Sequence, residues 1–278
     1  MVAAPRALAP LAALAGCSLA DAAPLAPLAP ELHGAGLLVN LHGRGPQSHA
    51  VALAARPRRL IAFAHPEVPE TAGMPAWRAD EHEVARWCRL LAESGIPADP
   101  ARLELPAPEL PAELAWTAGA TVVHPGAASA ARRWPPERFA AVAAAEGRAG
   151  RTVVVTGGPA EHGIAAEVVD RAGLAERAVL AGRTDLAALA AVVAHAGRVV
   201  CGDTGVAHLA TAFARPSVLL FGPTSPDEWG PLHASRGAGR HRVLWAGRTG
   251  DPHADRPHPG LLEIQPREVL AELAALPA

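Results

Sequence analysis

The sequence predicts an α/β protein of two doubly wound units, and three observations carry that prediction. Short apolar runs alternate with stretches of helical periodicity along most of the 278 residues, the signature of βαβ units. The runs read as strands buried on both faces, as in parallel sheets. A stretch without periodicity, "LELPAPELPAELAWTAG" at 103–119, punctuated by Pro106, Pro108 and Pro111, interrupts this rhythm. It sets the expected domains at residues 1–110 and 118–278.

In the first half, "GLLVNLH" (36–42) and "RRLIAF" (58–63) are the strand runs, with "PQSHAVALAA" (46–55) as the helix between them. The segment "DEHEVARWCRLLAESG" (80–95) places Val84, Trp87, Leu90 and Leu91 on one helical face, and Gly95 ends it. The second half repeats the rhythm with strand signals "ATVVHP" (120–125), "RTVVVTGG" (151–158), "AVLAGRT" (178–184), "RVVCGD" (198–203) and "SVLLFGP" (217–223). Helical segments 135–147, 160–173, 185–197 and 204–214 separate them, and "PREVLAELAAL" (266–276) closes the chain. Such an order specifies a doubly wound parallel sheet.

Composition narrows the partners. A formal charge of −2 provides no overall attraction to nucleic acid or anionic lipid, so a charged ligand must be held locally. No apolar stretch reaches the roughly eighteen uninterrupted residues of a membrane span, which leaves at most peripheral membrane contact. Cys17, Cys88 and Cys201 form no CxxC pair and have no His at metal-ligand spacing; neither a disulfide framework nor a metal site is expected, and a reducing, cytoplasmic compartment fits. All 25 basic residues are Arg. The opening "MVAAPRALAPLAALAGCSLADAAP" contains Leu14-Ala15-Gly16-Cys17, the form of a lipoprotein cleavage site, but Pro10 breaks its apolar run and the cytoplasmic reading is preferred.

In a doubly wound sheet, ligands bind beyond the carboxyl ends of the strands, where helix N-termini converge. The informative residues fall there. After "TVVHP" come Gly126, Ser129, Arg132 and Arg133; after "VVVTGG" comes Glu161; after "RVVCG" come Asp203, Thr204, Gly205 and His208. Small residues admit close approach of the backbone to a ligand, the two arginines can neutralise phosphate, and Thr204 and His208 share a helical face. Each also has a plainer reading. Asp203 and Glu161 can be helix caps, His208 can pack at a helix side, and the arginines can be solvated surface charges. Together the three loops have the chemistry for a diphosphate and its sugar.

The stretches "HPGAASAARRWPPERFA", "VVVTGGPAEH" and "CGDTGVAHLATAFARPSVLLFGPTSPDEWGP" resemble glycosyltransferase family 9, the ADP-heptose:lipopolysaccharide heptosyltransferase group, over nearly the whole second half. The resemblance implies a GT-B architecture, two Rossmann-like domains facing across a cleft with the nucleotide-sugar on the C-terminal one. It assigns Arg132 to the place of a phosphate-binding Lys, Glu161 to a ribose-binding acid, and Asp203, Thr204, Gly205 and His208 to a diphosphate loop. It implies an inverting, metal-independent transferase without a resident cofactor, moving a heptose-like sugar from an ADP-linked donor to a glycan or glycolipid acceptor. A nucleotide-sugar epimerase and a non-catalytic nucleotide-binding remnant are the alternatives.

The first half matches more loosely. Within "LVNLHGRGPQS", His42, Gly43 and Arg44 correspond to the acceptor-side loop. The family's opening strand and Gly-Asp loop, which carries the general base, has no counterpart; the start resembles the end of the family's second strand and its helix, as though the first βαβ unit of an incomplete N-terminal domain were missing. The catalytic base is therefore unassigned, with His42 and Glu31 the nearby titratable groups. Nucleotide binding is expected to be retained and transfer to be poor.

Overall fold

The computed structural model describes residues 1–232 and 239–277. The chain divides into two compact units, Met1–Arg102 and Leu103–Ala278. The Pro-punctuated stretch thus belongs to the second unit, where Leu105 N–H bonds to Ala212 O and His195 Nε2 lies 2.9 Å from Pro108 O.

The first unit opens with β1 (Val2–Ala4), α1 (Ala9–Leu14) and β2 (Leu19–Asp21), a parallel βαβ pair. Residues 14–17, the cleavage-site look-alike, form the turn from α1 into β2. A second parallel pair, β3 (Leu38–Val39) and β4 (Leu60–Ile61), brackets α2 (Gln47–Ala54). After it, α3 (Glu83–Glu93) buries Leu90 against Ile61 and Phe63, with Trp77 and Trp87 packed alongside. Arg86, on α3, is buried with its guanidinium 4.2 Å from the Trp77 ring centroid, and donates to the carbonyls of Arg78, Ala79 and Glu81. One cation thereby ties the loop before α3 to the helix.

The second unit contains β5 (Thr121–His124), α4 (Pro136–Arg148), β6 (Val153–Val155), α5 (His162–Arg171), α6 (Leu186–Ala194), β7 (Arg198–Gly202), α7 (Gly205–Ala212), β8 (Ser217–Phe221), α8 (Pro226–Trp229), β9 (His241–Trp245), α9 (Pro259–Glu263) and α10 (Pro266–Ala274). Its five-stranded sheet has the order β6-β5-β7-β8-β9, parallel throughout. The central strands are buried residue after residue, as helices on both faces require. One face packs Phe139, Val142, Val168, Val269 and Leu273 onto Val123, Val155, Val200 and Leu220; on the other, α6 packs against α7, and α7 against β7 and β8.

Two expectations change. "AVLAGRT" is not a strand: Val179 makes a single bridge to Val155 and the chain then turns. The fifth strand is β9, which sequence reading passed over. Val179, Leu180 and Ala181 are as buried as strand residues, so their apolarity reports burial and not pairing.

Candidate functional site

The strand order places β6 on one side of β5 and β7 on the other, so the winding reverses between the carboxyl ends of β5 and β7. That reversal is the switch point at which open α/β sheets leave a crevice. The segments following these two strands are 125–133 and 203–208, and they carry the sequence-predicted residues.

Arg132 ends a short 3-10 turn, Ala130–Arg132, and reaches across the switch point to the β7 segment. Its Nη1 lies 3.5 Å from Asp203 O and 3.7 Å from Asp203 Oδ2. The Asp203 side chain is 8% exposed against 23% for Arg132, so the acid is the more covered of the pair. Thr224 Oγ1, on the segment after β8, donates to Asp203 Oδ2 at 2.7 Å. Gly202 makes the close passage possible, since a Cβ there would stand 3.1 Å from Arg132 O.

Asp203 does not cap α7. The N-cap is Thr204, and its side chain makes no cap hydrogen bond, while Ala207 N–H bonds back to Thr204 O at 3.0 Å. Among the described residues, the start of α7 has no side-chain cap. Gly205 is the first helical residue and is exposed; a Cβ there would meet nothing within 4 Å. His208 lies one turn further on, also exposed.

Burial pushes the Cys201 thiol up to about 12, the Thr204 hydroxyl working against that rise and the Asp203 carboxylate adding to it. Cys201 is thus a protonated core residue and no nucleophile. Sulfur is a weak partner, and Thr204 Oγ1 remains buried without a full hydrogen bond. Arg132 Nε is in the same condition. Only three buried side-chain polar atoms lack partners among the described residues; these are two of them, the third being Arg242 Nε. Unmet polar groups are costly, and here both belong to neighbouring segments of the switch point.

The hydrogen bonds revise the reading of Ser129 and give Arg133 and Glu161 partners within the chain. Ser129 donates its hydroxyl to Pro252 O, so it fastens its loop to a distant segment and has no proton left to donate to phosphate. Ala131 N–H to Ala254 O and His258 N–H to Ala131 O strengthen the same attachment. Arg133 directs Nε and Nη2 to Ala127 O at 2.9 and 2.7 Å; it clamps the loop that Arg132 uses and is more than a solvated surface charge. Glu161 ends the 3-10 turn Pro159–Glu161 and caps it, Oε2 accepting from Gly158 N–H at 2.7 Å. Its Oε1 lies against Gly126, only 2.0 Å from where a Cβ would be. Gly126 is therefore the space that Glu161 occupies.

Sequence reading missed His124, which ends β5, and Thr156, which follows β6. Both are buried, with His124 Nδ1 3.0 Å from Thr156 Oγ1. Burial pushes the His124 imidazole below its ordinary value, with the Glu161 carboxylate opposing. It is neutral at neutral pH.

In the first unit, the loop of His42, Gly43 and Arg44 hangs from Asn40. Its Oδ1 accepts the His42 N–H at 3.0 Å, an Asx turn, and its Nδ2 donates to Ser48 Oγ at 3.0 Å. Buried His49 donates from Nε2 to Phe63 O at 2.6 Å and approaches Asn40 Nδ2 through Nδ1. The side chains of His42 and Arg44 are exposed, Gly43 is half-buried, and Glu31 stands exposed in a separate 3-10 turn, Pro30–Leu32. Nothing in the first unit places His42 or Glu31 against a reacting group.

A parallel doubly wound sheet with a crevice at its switch point defines the class of open α/β proteins. The chain belongs to glycosyltransferase family 9 (heptosyltransferase), whose family model matches residues 74–247. Among curated proteins it is 36% identical to lipopolysaccharide heptosyltransferase 2 of Escherichia coli strain K12 over 154 residues. It is 35% identical to the Salmonella typhimurium protein of that name over the same length. Each match covers 52% of this chain and 43% of the relative, so the chain spans under half the length of these curated relatives. Among solved structures, the E. coli ADP-heptose lps heptosyltransferase II superposes with TM-score 0.72 at 22% identity, over 99% of this chain and 88% of that one. A family 9 glycosyltransferase from Veillonella parvula gives 0.67 at 21%, over 87% and 73%. The E. coli heptosyltransferase WaaC with ADP gives 0.61 at 18%, over 88% and 74%. At these identities the structures establish the fold.

Proposed function

We propose that the chain is the donor-binding and transferring part of an inverting, metal-independent glycosyltransferase that uses a nucleoside diphosphate sugar, ADP-linked and heptose-like, and a glycan or glycolipid acceptor. The observation that carries this reading is the pair of buried, unpartnered donors, Arg132 Nε and Thr204 Oγ1, beside the uncapped start of α7. Both atoms belong to the segments that meet at the switch point, where a helix N-terminus favours an anion. Membership of family 9 supports the diphosphate sugar as that anion.

The chemistry follows from charge. As an acceptor oxygen attacks the anomeric carbon, the bond to the β-phosphate oxygen breaks and its electron pair leaves with the nucleoside diphosphate. Arg132, Thr204 and the α7 N–H groups stabilise that growing negative charge in place of a metal ion. Asp203 keeps the guanidinium oriented and Glu161 is the acid for a ribose hydroxyl. His42 is the first group to test as the base that takes the acceptor proton, with Gly43 and Arg44 beside it facing the acceptor. The nucleotide-sugar is a substrate, no resident cofactor is involved, and the reaction belongs in the cytoplasm. No helix among the described residues is long and apolar enough to cross a membrane.

The test is calorimetric titration of the purified chain with ADP, with and without EDTA, followed by transfer from ADP-heptose and determination of the product's anomeric configuration. ADP binding that survives EDTA, and an inverted product, are expected. Failure to bind ADP would remove the donor-site reading; loss of binding with EDTA would remove the metal-free mechanism.

A further inference from the structure

We propose that Thr224 is a positioning residue of the donor site: its hydroxyl holds the Asp203 carboxylate on Arg132 and away from the start of α7, keeping that helix terminus open for the diphosphate. This inference rests on the donor-site reading above and assigns a role to a residue 21 positions from Asp203 in sequence.

Asp203 immediately precedes the N-cap, and a carboxylate is among the groups that best satisfy first-turn N–H donors. Left to itself, it would compete with a ligand anion for those donors. In the structure it does not reach them. Oδ2 accepts from Thr224 Oγ1 at 2.7 Å and faces Arg132 Nη1 at 3.7 Å, and α7 has no side-chain cap. The Arg132 contact alone is long for an ion pair with hydrogen-bond character. The short bond is the one to Thr224, so the hydroxyl contributes more to orientation than the cation does.

The Thr224 backbone is fixed independently of the ligand. It lies between β8 and α8, and the next residue, Ser225, caps α8 by accepting from Asp227 N–H. On the same segment, Gly222 O accepts from Trp245 Nε1 at 3.2 Å, and Pro223 O accepts from Gly250 N–H at 2.9 Å. The hydroxyl is therefore presented by a braced turn, and a Val side chain can replace Thr without changing the turn's shape.

The test compares ADP and adenosine binding by the unaltered chain, T224V, T224S and T224A, with melting curves for each. T224V should weaken ADP about tenfold, the size of one hydrogen bond to a charged group, while adenosine, which has no phosphate, binds within about twofold of the unaltered chain. T224S should restore ADP affinity and T224A should behave as T224V. In a D203A background, T224V should produce no further loss, because the carboxylate it controls is gone. Equal ADP affinity in the unaltered chain, T224V and T224A would overturn the role of Thr224 and leave the donor site standing. Parallel losses of ADP and adenosine would make Thr224 a merely structural residue, and an additive loss in the D203A background would show that it does not act through Asp203. If the unaltered chain does not bind ADP, the donor-site reading fails and this inference with it.

Discussion

Gly126→Ala is the most discriminating perturbation of the site, because its cost can be read from geometry. Gly126 is buried and is not among the residues of positive φ, so the backbone itself accepts Ala. The added Cβ would stand 2.0 Å from Glu161 Oε1 and 2.2 Å from its Cδ, well inside any tolerable contact. Since these atoms end a flexible side chain, Glu161 is displaced and the strand end is not. What is lost is the bond from Gly158 N–H to Oε2 at 2.7 Å. A charge-assisted bond at a solvent-facing turn is worth about 1–2 kcal/mol, which in a unit of this size lowers the melting temperature by about 3–6 °C. The second half of the experiment uses Glu161→Ala. With the carboxylate removed, the methyl added by Gly126→Ala has no opponent, so G126A/E161A should melt with E161A alone. Thermal denaturation of all four proteins reads this directly. Additive losses, or a G126A protein that melts with the unaltered chain, would refute the claim that Gly126 exists to hold Glu161.

Arg132→Ala should weaken ADP binding by about 1.5–3 kcal/mol, the value of hydrogen bonds to a charged group. Arg132→Lys should recover only part, because one ammonium cannot hold Asp203 and a phosphate with the geometry of a planar fork; calorimetry distinguishes the three. His124→Gln should flatten the acid limb of stability. The folded-state value lies below the ordinary 6.5 because burial disfavours the cation, so the unfolded chain binds the proton first. Stability from the neutral imidazole is complete above pH 6.5 and declines as pH falls from there towards the folded value. Denaturant unfolding between pH 5 and 8 should show a shallower slope in the variant, and equal slopes would remove His124 from the account. Glu146→Ala should cost about 3 kcal/mol, the lower end for breaking a buried charge pair, since the partly exposed Arg151 can rehydrate. Burial raises the Glu146 carboxyl, but bonds from Arg151 and Thr121 and the nearby Arg198 outweigh it and hold the group below 4.5. The difference between variant and unaltered chain should therefore be full above pH 4.5 and close as the pH is lowered through the folded value.

The parallel sheet and the positions of its ligand loops were legible because burial on both faces imposes a local signature. Val122, Val123, Val199, Val200, Leu219 and Leu220 are all essentially inaccessible, and an uninterrupted apolar run is what such a strand must be. The same signature misled at Val179–Ala181, where burial occurs without a pairing partner beyond one bridge. It failed in the other direction at β9, an edge strand whose residues after His241 are only half-covered. An edge needs no apolar run, so composition alone could not separate it from a loop; the Val243-Leu244-Trp245 sequence was the available sign.

The site divides in the same way. Residue types were legible, since a Gly between strand and helix, a hydroxyl at the cap and an Arg in the facing loop are local choices. The partners of those groups were not. Ser129 binds Pro252, Arg133 binds Ala127, and Asp203 binds Thr224. The bonds of Ser129 and Asp203 occupy groups that motif reading offers to the ligand and join segments that only the folded sheet brings together, and that of Arg133 takes up part of its guanidinium. Subtracting such internal bonds leaves Arg132 Nε and Thr204 Oγ1, a shorter set than the motifs suggest and a more specific one. The polar residues around a switch point divide into those bonded within the chain and those without a partner there, and only the hydrogen-bond inventory of the folded chain tells which is which.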